Sequence, residues 1–432
     1  MQFDLFSLVV ILIFDVITVL TIYGMCKRFE TRLLLLVGVF CFNFSSCLGI
    51  ILQKENEGYL PSAVAYLLIM TIIMGLIIDG RYKLTWGGRA RELINDQHIE
   101  ESMQLVSGLG VFFFIVVVVS TFYPVNYFSQ LSTSSFAITG RRFALSMARS
   151  NGLAWMIDRI KLVLLPFFFI WLYRIRSNWK AFILVFVIYS FCDMLQNAMI
   201  TSRSNYLQVI IFILVYLTLE RKISKRQLVI YSAIIAVFGV VLLVRFKDLI
   251  MGKSLSYHGL GSYVTALLQS ENSGGQARLD FCNSVSGDLD FFHFIYHCLT
   301  APLFFLPDDG FPTLSYYFTT GVLGLSYGQV GYYVILPGAL GEGVMILGKY
   351  FAWIYGGFFG LYSGAFFRFL RKHNYLRYVY VYFLIQFGLA FRGGMQAFIM
   401  RSLNCTFYFM IIIYLIQIVG RGRKRNAVTT DV

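Results

Sequence analysis

Charge is scarce in this sequence. Asp, Glu, Lys and Arg make up 13% of its 432 residues, whereas 58% are hydrophobic, with 43 Phe and 28 Tyr. A water-soluble domain of this length needs far more charged surface, so the composition makes a bilayer the solvent. No polar tract is long enough for a separate soluble domain, which leaves one membrane domain. The 7 Cys form no Cys-x-x-Cys pair. Only Cys282 and Cys298 share a polar loop, so the choice is one disulfide there or two free thiols. The opening residues Met1 to Asp4 carry no basic charge, which excludes a cleavable signal peptide. No internal repeat is visible, which argues against a transporter built from inverted halves.

What is present is a series of long apolar runs. They lie near 5–25, 33–52, 61–79, 104–124, 154–173, 181–198, 205–219, 228–245, 341–367, 376–391 and 402–419. About 20 apolar residues cross a bilayer core as a helix. The expectation is an all-α polytopic membrane protein of about eleven transmembrane helices, with ten to twelve as the range. In chain order, helices 1–8 occupy 1–245, a large outer loop occupies 246–340, and helices 9–11 with a basic tail occupy 341–432. The loop carries half-apolar stretches such as 291–305, which read as short re-entrant or membrane-surface helices.

The net charge of +14 would suggest nucleic acid in a soluble protein. Here the basic residues follow topology instead, so no nucleic acid is expected. Alternate connections hold Lys27, Arg28 and Arg32; Arg81, Lys83, Arg89 and Arg91; Arg174, Arg176 and Lys180. The series continues with Arg221, Lys222, Lys225 and Arg226; Arg368, Arg371, Lys372 and Arg377; and Arg421, Arg423, Lys424 and Arg425. These are 22 of the 36 basic residues, all on one side. The positive-inside rule puts that side, and the carboxyl terminus, in the cytoplasm and the amino terminus outside.

Most of the remaining basic residues fall in outer segments, where the rule disfavours them. Arg predominates there, and guanidinium groups bind phosphate oxygens in bidentate fashion. Arg203 stands in Thr201-Ser202-Arg203-Ser204-Asn205 at the start of the seventh helix. Two readings stand: a phosphate site at a helix amino terminus, or a cap plus an interfacial anchor. Arg392 and Arg401 flank the outer turn between the last two helices, and Arg278 lies in the large loop. Snorkelling accounts for any one of them; a converging group points to an anionic lipid headgroup or a lipid-linked pyrophosphate.

Glu342 lies between two glycines in Pro337-Gly338-Ala339-Leu340-Gly341-Glu342-Gly343, at the outer start of the ninth helix. An intramembrane acid suggests catalysis or substrate binding, against a carboxylate merely favoured by the helix dipole. Lys349 follows seven residues later, which on a continuous helix puts both on one face. His258 and Asp280 are further candidate bases in the loop. His293 and His297 have metal-ligand spacing but no third ligand nearby in sequence, so no metal is expected. Gly356, Gly360 and Gly364 recur every fourth residue and predict close approach of another helix.

The large outer loop, the Pro-Gly-x-x-Gly-Glu stretch at 337–342, the following Gly348 and the Gly-rich helix together resemble the Wzy-type polymerases of O-antigen and related oligosaccharide repeat units. The Thr-Ser-Arg-Ser-Asn stretch at 201–205 is similar to that family's Arg-containing segment. Ile346 departs from the pattern, where a polar residue is expected, and Lys349 is unusual. The resemblance implies a GT-C-like helical fold in the bacterial inner membrane and a glycosyltransferase needing neither metal nor cofactor. It would move a growing glycan from undecaprenyl pyrophosphate to the non-reducing end of another lipid-linked repeat unit at the periplasmic face. A chain-length regulator and a flippase would be further partners. In that chemistry Arg203, Arg278, Arg392 and Arg401 serve the two pyrophosphates, with Lys349 and Asp280 as further substrate contacts. Glu342 is the base or orients sugar, and His258 is the reserve base. The rival readings are a flippase for lipid-linked oligosaccharide and an O-antigen ligase.

Overall fold

The computed structural model describes residues 4–47, 50–51, 58–79, 102–123, 126–127, 152–197, 203–224, 226–228, 230–231, 234, 279–286, 291–303, 313–325 and 336–429. Nearly all of the expected span at 228–245 lies outside them, as do His258 and Arg278.

Every regular element among the described residues is helical. In order they are α1 (Leu5–Met25), α2 (Phe29–Phe42, continued by a π-helical Asn43–Cys47), α3 (Leu60–Ile78), α4 (Met103–Ser120), α5 (Gly152–Arg174) and α6 (Trp179–Gln196). Then come α7 (Arg203–Leu219), α8 (Leu279–Ser284), α9 (Phe291–Thr300), α10 (Leu314–Leu323), α11 (Gly338–Lys372), α12 (Arg377–Gly393) and α13 (Met395–Thr429). Capping follows local chemistry. The side chains of Asp4, Asn178 and Thr313 accept from the backbone N–H of Phe6, Ala181 and Tyr316, which opens α1, α6 and α10. Left-handed Gly324 closes α10.

Among the described residues, seven helices are long and apolar enough to cross a membrane: α1, Phe29–Cys47, α3, α4, α6, α11 and the Met395–Ile418 part of α13. Three others occupy expected spans. Of these, α5 carries Asp158, Arg159 and Lys161 in its first half. The other two, α7 and α12, are 17 residues each, short of the ~20 that span a bilayer unaided. The described residues of the large loop hold the short helices α8, α9 and α10. Helix α1 shows which solvent it meets. It turns Leu5, Phe6, Val9, Leu12, Ile13, Val16 and Leu20 outward and buries Ser7 and Thr18. Such an inverted pattern fits lipid, not water.

The chain forms two compact units. The first comprises Met1–Trp86, Gly259–Lys372 and Gln386–Asn404; the second comprises Gly87–His258, His373–Ile385 and Cys405–Val432.

In the first unit α3 and α11 form the spine. A Cβ at Gly356 would lie 2.9 Å from the Tyr66 carbonyl oxygen, one at Gly360 would lie 2.6 Å from that of Met70, and one at Gly364 would lie 3.2 Å from the Met74 Cα. Each step of four on α11 thus meets a step of four on α3, and the small residues let the backbones touch. Phe359 of α11 stacks on Phe387 and packs edge-on against Phe391 and Phe398, tying in α12 and α13. At one end of α3, Asp79 accepts from the Lys27 N–H at 3.0 Å and the Thr31 hydroxyl at 2.9 Å, and meets Arg371 at 3.4 Å. Arg368 reaches the Ile77 carbonyl beside it. Three connections expected on the cytoplasmic side therefore meet at one end of this unit.

Helix α11 is not continuous. Gly348 has φ 76° and ψ 171°, outside helical space, so a short segment, 338–347, precedes a long one, 349–372. Gly343 lies against Ala352 and Tyr355, with a Cβ there 3.1 Å from the Ala352 carbonyl oxygen. The short segment thus rests on the start of the long one. This corrects the placement of Glu342 and Lys349 on one helical face: the break at Gly348 puts them on different segments.

The second unit is held by rings. Phe113 and Phe168 pack with Tyr189, Phe186 stacks on Phe212, and Phe182 stacks on Tyr216. Gly110 admits α5 so closely that a Cβ would lie 2.5 Å from the Phe167 carbonyl oxygen. Buried Gln196 donates to the Val117 carbonyl and to the Ser120 and Thr121 hydroxyls. Its Oε1 accepts from Lys161, which pairs with Asp158 at 2.7 Å. At the basic end, Tyr378 donates to Glu220, which also faces Arg176 and Arg377.

Candidate functional site

Glu342 is fully buried in the first unit, on the short segment of α11. Its Oε2 accepts three hydrogen bonds: from the Tyr355 hydroxyl at 2.8 Å, the Met395 N–H at 2.6 Å and the Gln396 N–H at 3.2 Å. The last two are the first amides of α13, which have no partner inside that helix. A carboxylate there also meets the positive end of the helix dipole. Its Oε1 is buried and has no hydrogen-bond partner among the described residues. Gly394, at φ 108°, covers that oxygen with nothing larger than hydrogen; a Cβ there would overlap Oε1 and sit 3.6 Å from the Ser315 hydroxyl.

Local sequence explains the arrangement. Gly338 is left-handed and packs on the Phe391 carbonyl, and Gly341 fits against the Cys282 sulfur of α8. The glycines around Glu342 are thus places where neighbouring chain comes within van der Waals contact. Gln396, also buried, accepts from the Leu314 N–H at 2.9 Å and so caps α10. One carboxylate and one amide thereby hold the starts of α13 and α10 beside the broken α11.

A second cluster adjoins this one through α8. Asp280 accepts from the Tyr59 hydroxyl at 2.7 Å, and the Lys349 ammonium sits 4.7 Å from the centre of the Tyr59 ring. The Asn283 side chain accepts from the Lys349 N–H at 3.1 Å, and the Ser62 hydroxyl bonds to the Lys349 carbonyl. Burial pushes the Tyr59 phenol up, and the Asp280 carboxylate beside it adds to the shift, so the phenol stays a donor. The Cys282 thiol is likewise pushed up by burial, which keeps it inert. Cys282 and Cys298 are free, not paired.

Glu342, Asp280 and Lys349 are therefore gathered in one unit, at the Tyr59 end of α3, opposite Asp79. Arg392 lies in the last turn of α12, three residues before Met395, and is exposed. Arg401 is exposed on α13 and donates to Gln386 at 2.8 Å. Arg203 opens α7 in the second unit, and its side chain lies outside the described residues, as do Arg278 and His258. Sequence reasoning did not single out Tyr355, Tyr59, Asn283 or Gln396. The one available signal was the Gly393-Gly394 pair, which marks a chain break before a new helix and so a set of open amides.

No protein-family model, curated protein or solved structure matches the chain.

Proposed function

We propose that this chain is a glycosyltransferase of the bacterial inner membrane that polymerises oligosaccharide repeat units carried on undecaprenyl pyrophosphate. The observation that carries the reading is the asymmetry of Glu342. One carboxylate oxygen is fixed by three donors, while the other is buried with no partner among the described residues. A pinned carboxylate with one open oxygen suits a group that takes a proton at a defined atom. Its setting on a broken helix also fits, because non-helical backbone at membrane depth is tolerated where it borders a cavity or a site.

In this reading the acceptor sugar hydroxyl attacks the anomeric carbon of the growing glycan. The new C–O bond forms as the bond from that carbon to the pyrophosphate oxygen breaks, and the hydroxyl proton passes to Oε1 of Glu342. The departing undecaprenyl pyrophosphate takes up the negative charge, which Arg278, Arg392 and Arg401 stabilise, and Arg203 of the second unit is a further proposed phosphate contact. Lys349 and Asp280, held at Tyr59, contact the glycan or its phosphates. Access to Oε1 requires the Gly393-Gly394 turn to shift, since Gly394 covers that atom. The topology that goes with this is eleven spans, an outer amino terminus and a cytoplasmic carboxyl terminus. It is supported by the meeting of basic connections at one end of each unit.

The test is purified protein incubated with the undecaprenyl-pyrophosphate-linked repeat unit alone, together with Glu342→Gln. Polymer from the native chain and none from a folded Glu342→Gln variant support the proposal. Intact substrate under conditions that keep the protein folded points instead to a flippase or a ligase.

A further inference from the structure

The second unit contains an open groove of about 550 Å³ between the start of α4, the end of α5 and the start of α6. Ser107, Gly108 and Val111 form one wall, Trp171 the other, and Arg174 and Asn178 its rim. Three features point to a ligand. Ser107 is 5% exposed, and its hydroxyl has no partner among the described residues. Arg174 is exposed and makes no ion pair or hydrogen bond among them, whereas neighbouring Arg176 stacks on Tyr173 and bonds to its carbonyl. Finally, Asn178 caps the Ala181 N–H of α6, which leaves the amides of Trp179 and Lys180 without partners inside that helix.

Location selects the chemistry. The groove lies where two apolar spans, α4 and α6, begin. Trp171 and Arg174 line it, and Tyr173, Arg176, Trp179 and Lys180 are close to its lining residues in sequence, the residue mixture of a membrane–water interface. Its rim is cationic and rich in donors, and its inner wall is apolar, with Phe112 and Ile115 exposed on the same helix. We infer that this groove binds the phosphate headgroup of an anionic membrane phospholipid. The phosphate meets Arg174 and the amides that open α6, Ser107 donates to a glycerol or ester oxygen, and an acyl chain lies along Val111 and Trp171. The inference is independent of the chemistry proposed for Glu342.

The experiment is native mass spectrometry of the full chain in detergent with added phosphatidylglycerol, phosphatidylcholine or inorganic phosphate. A Cβ at Gly108 meets nothing within 4 Å, so Gly108→Leu fills the groove without disturbing the fold. Phosphatidylglycerol should bind the native chain and bind Gly108→Leu and Arg174→Gln about tenfold more weakly, the loss expected for a charge-assisted contact. Lys222→Gln, away from the groove, should leave binding unchanged. If Gly108→Leu fails to fold, Arg174→Gln decides. Unchanged binding in the groove variants overturns the site, and equal affinity for phosphatidylcholine overturns the anionic selectivity. Displacement of the lipid by millimolar inorganic phosphate overturns the lipid in favour of a free anion.

Discussion

The Tyr355 hydroxyl donates to Oε2 of Glu342 at 2.8 Å, across the break that Gly348 introduces into α11. The two residues lie on different segments, so this bond ties the short segment to the long one. Tyr355→Phe removes it while the Met395 and Gln396 amides keep their hold. We expect a loss of about 1.5–3 kcal/mol, the range for a hydrogen bond to a charged group. Thermal unfolding in detergent measures it. A variant as stable as the native chain would show that the amides alone fix the carboxylate.

Gly394 should tolerate no side chain. Its φ of 108° lies where L residues are strained, and a Cβ would overlap Oε1 of Glu342. Gly394→Ala must displace the carboxylate from its donors, so on the proposed function polymer synthesis should fall at least about tenfold, the rate change for ~1.4 kcal/mol of misplacement. Gly393→Ala is the comparison, because a Cβ there meets only Leu336 at 3.9 Å. Equal activities of the two variants would separate the turn from the chemistry.

The all-helical character and several candidate spans could be read from hydropathy because the apolar runs are long, and the glycine stripe of α11 found its partner in α3. The break in that helix was harder to see. Gly348 is one glycine among several in the same run, and only its backbone angles distinguish it from Gly356, which stays helical. Glu342 stood out because a carboxylate in an apolar run needs a reason. Tyr355 did not, since one tyrosine among 28 carries no mark of the hydrogen bond it makes. Backbone amides, which supply two of the three donors to Glu342, are marked in the sequence only by the Gly393-Gly394 pair that precedes them. Lys161, one of the basic residues outside the six basic connections, is paired with Asp158 one helical turn before it.

The glycine stripe gives a graded expectation. Gly360→Leu drives a side chain into the Met70 backbone, with the Cβ alone 2.6 Å from its carbonyl oxygen. Overpacking of this kind costs about 1–3 kcal/mol or more when backbone must move. Gly357→Ala, on the adjoining face, meets the Ile69 side chain at 3.2 Å, which can rotate away. Gly360→Leu should lower the unfolding midpoint clearly and Gly357→Ala little. The opposite ranking would mean that α3 and α11 do not pack through this face.

Asp79 and Arg371 offer a test of the basic end of the first unit. Their side chains are only 10% and 15% exposed, and they meet at 3.4 Å with Thr31 bonded to both. Removing Asp79 leaves the Lys27 N–H, the Thr31 hydroxyl and one Arg371 nitrogen without their shared acceptor. Breaking a largely buried pair costs more than the pair contributes, because the remaining charge is left without compensation. We therefore expect Asp79→Asn and Arg371→Gln each to be destabilising and the double variant to lose less than their sum. The coupling should be about 1–3 kcal/mol, within the range for contacting charged residues. Thermal unfolding of the four proteins in one detergent closes the cycle. Strict additivity would mean that the end of α3 is held by Thr31 and the Ile77 and Ile78 carbonyls, which also bond to Arg368 and Arg371, without help from the charges.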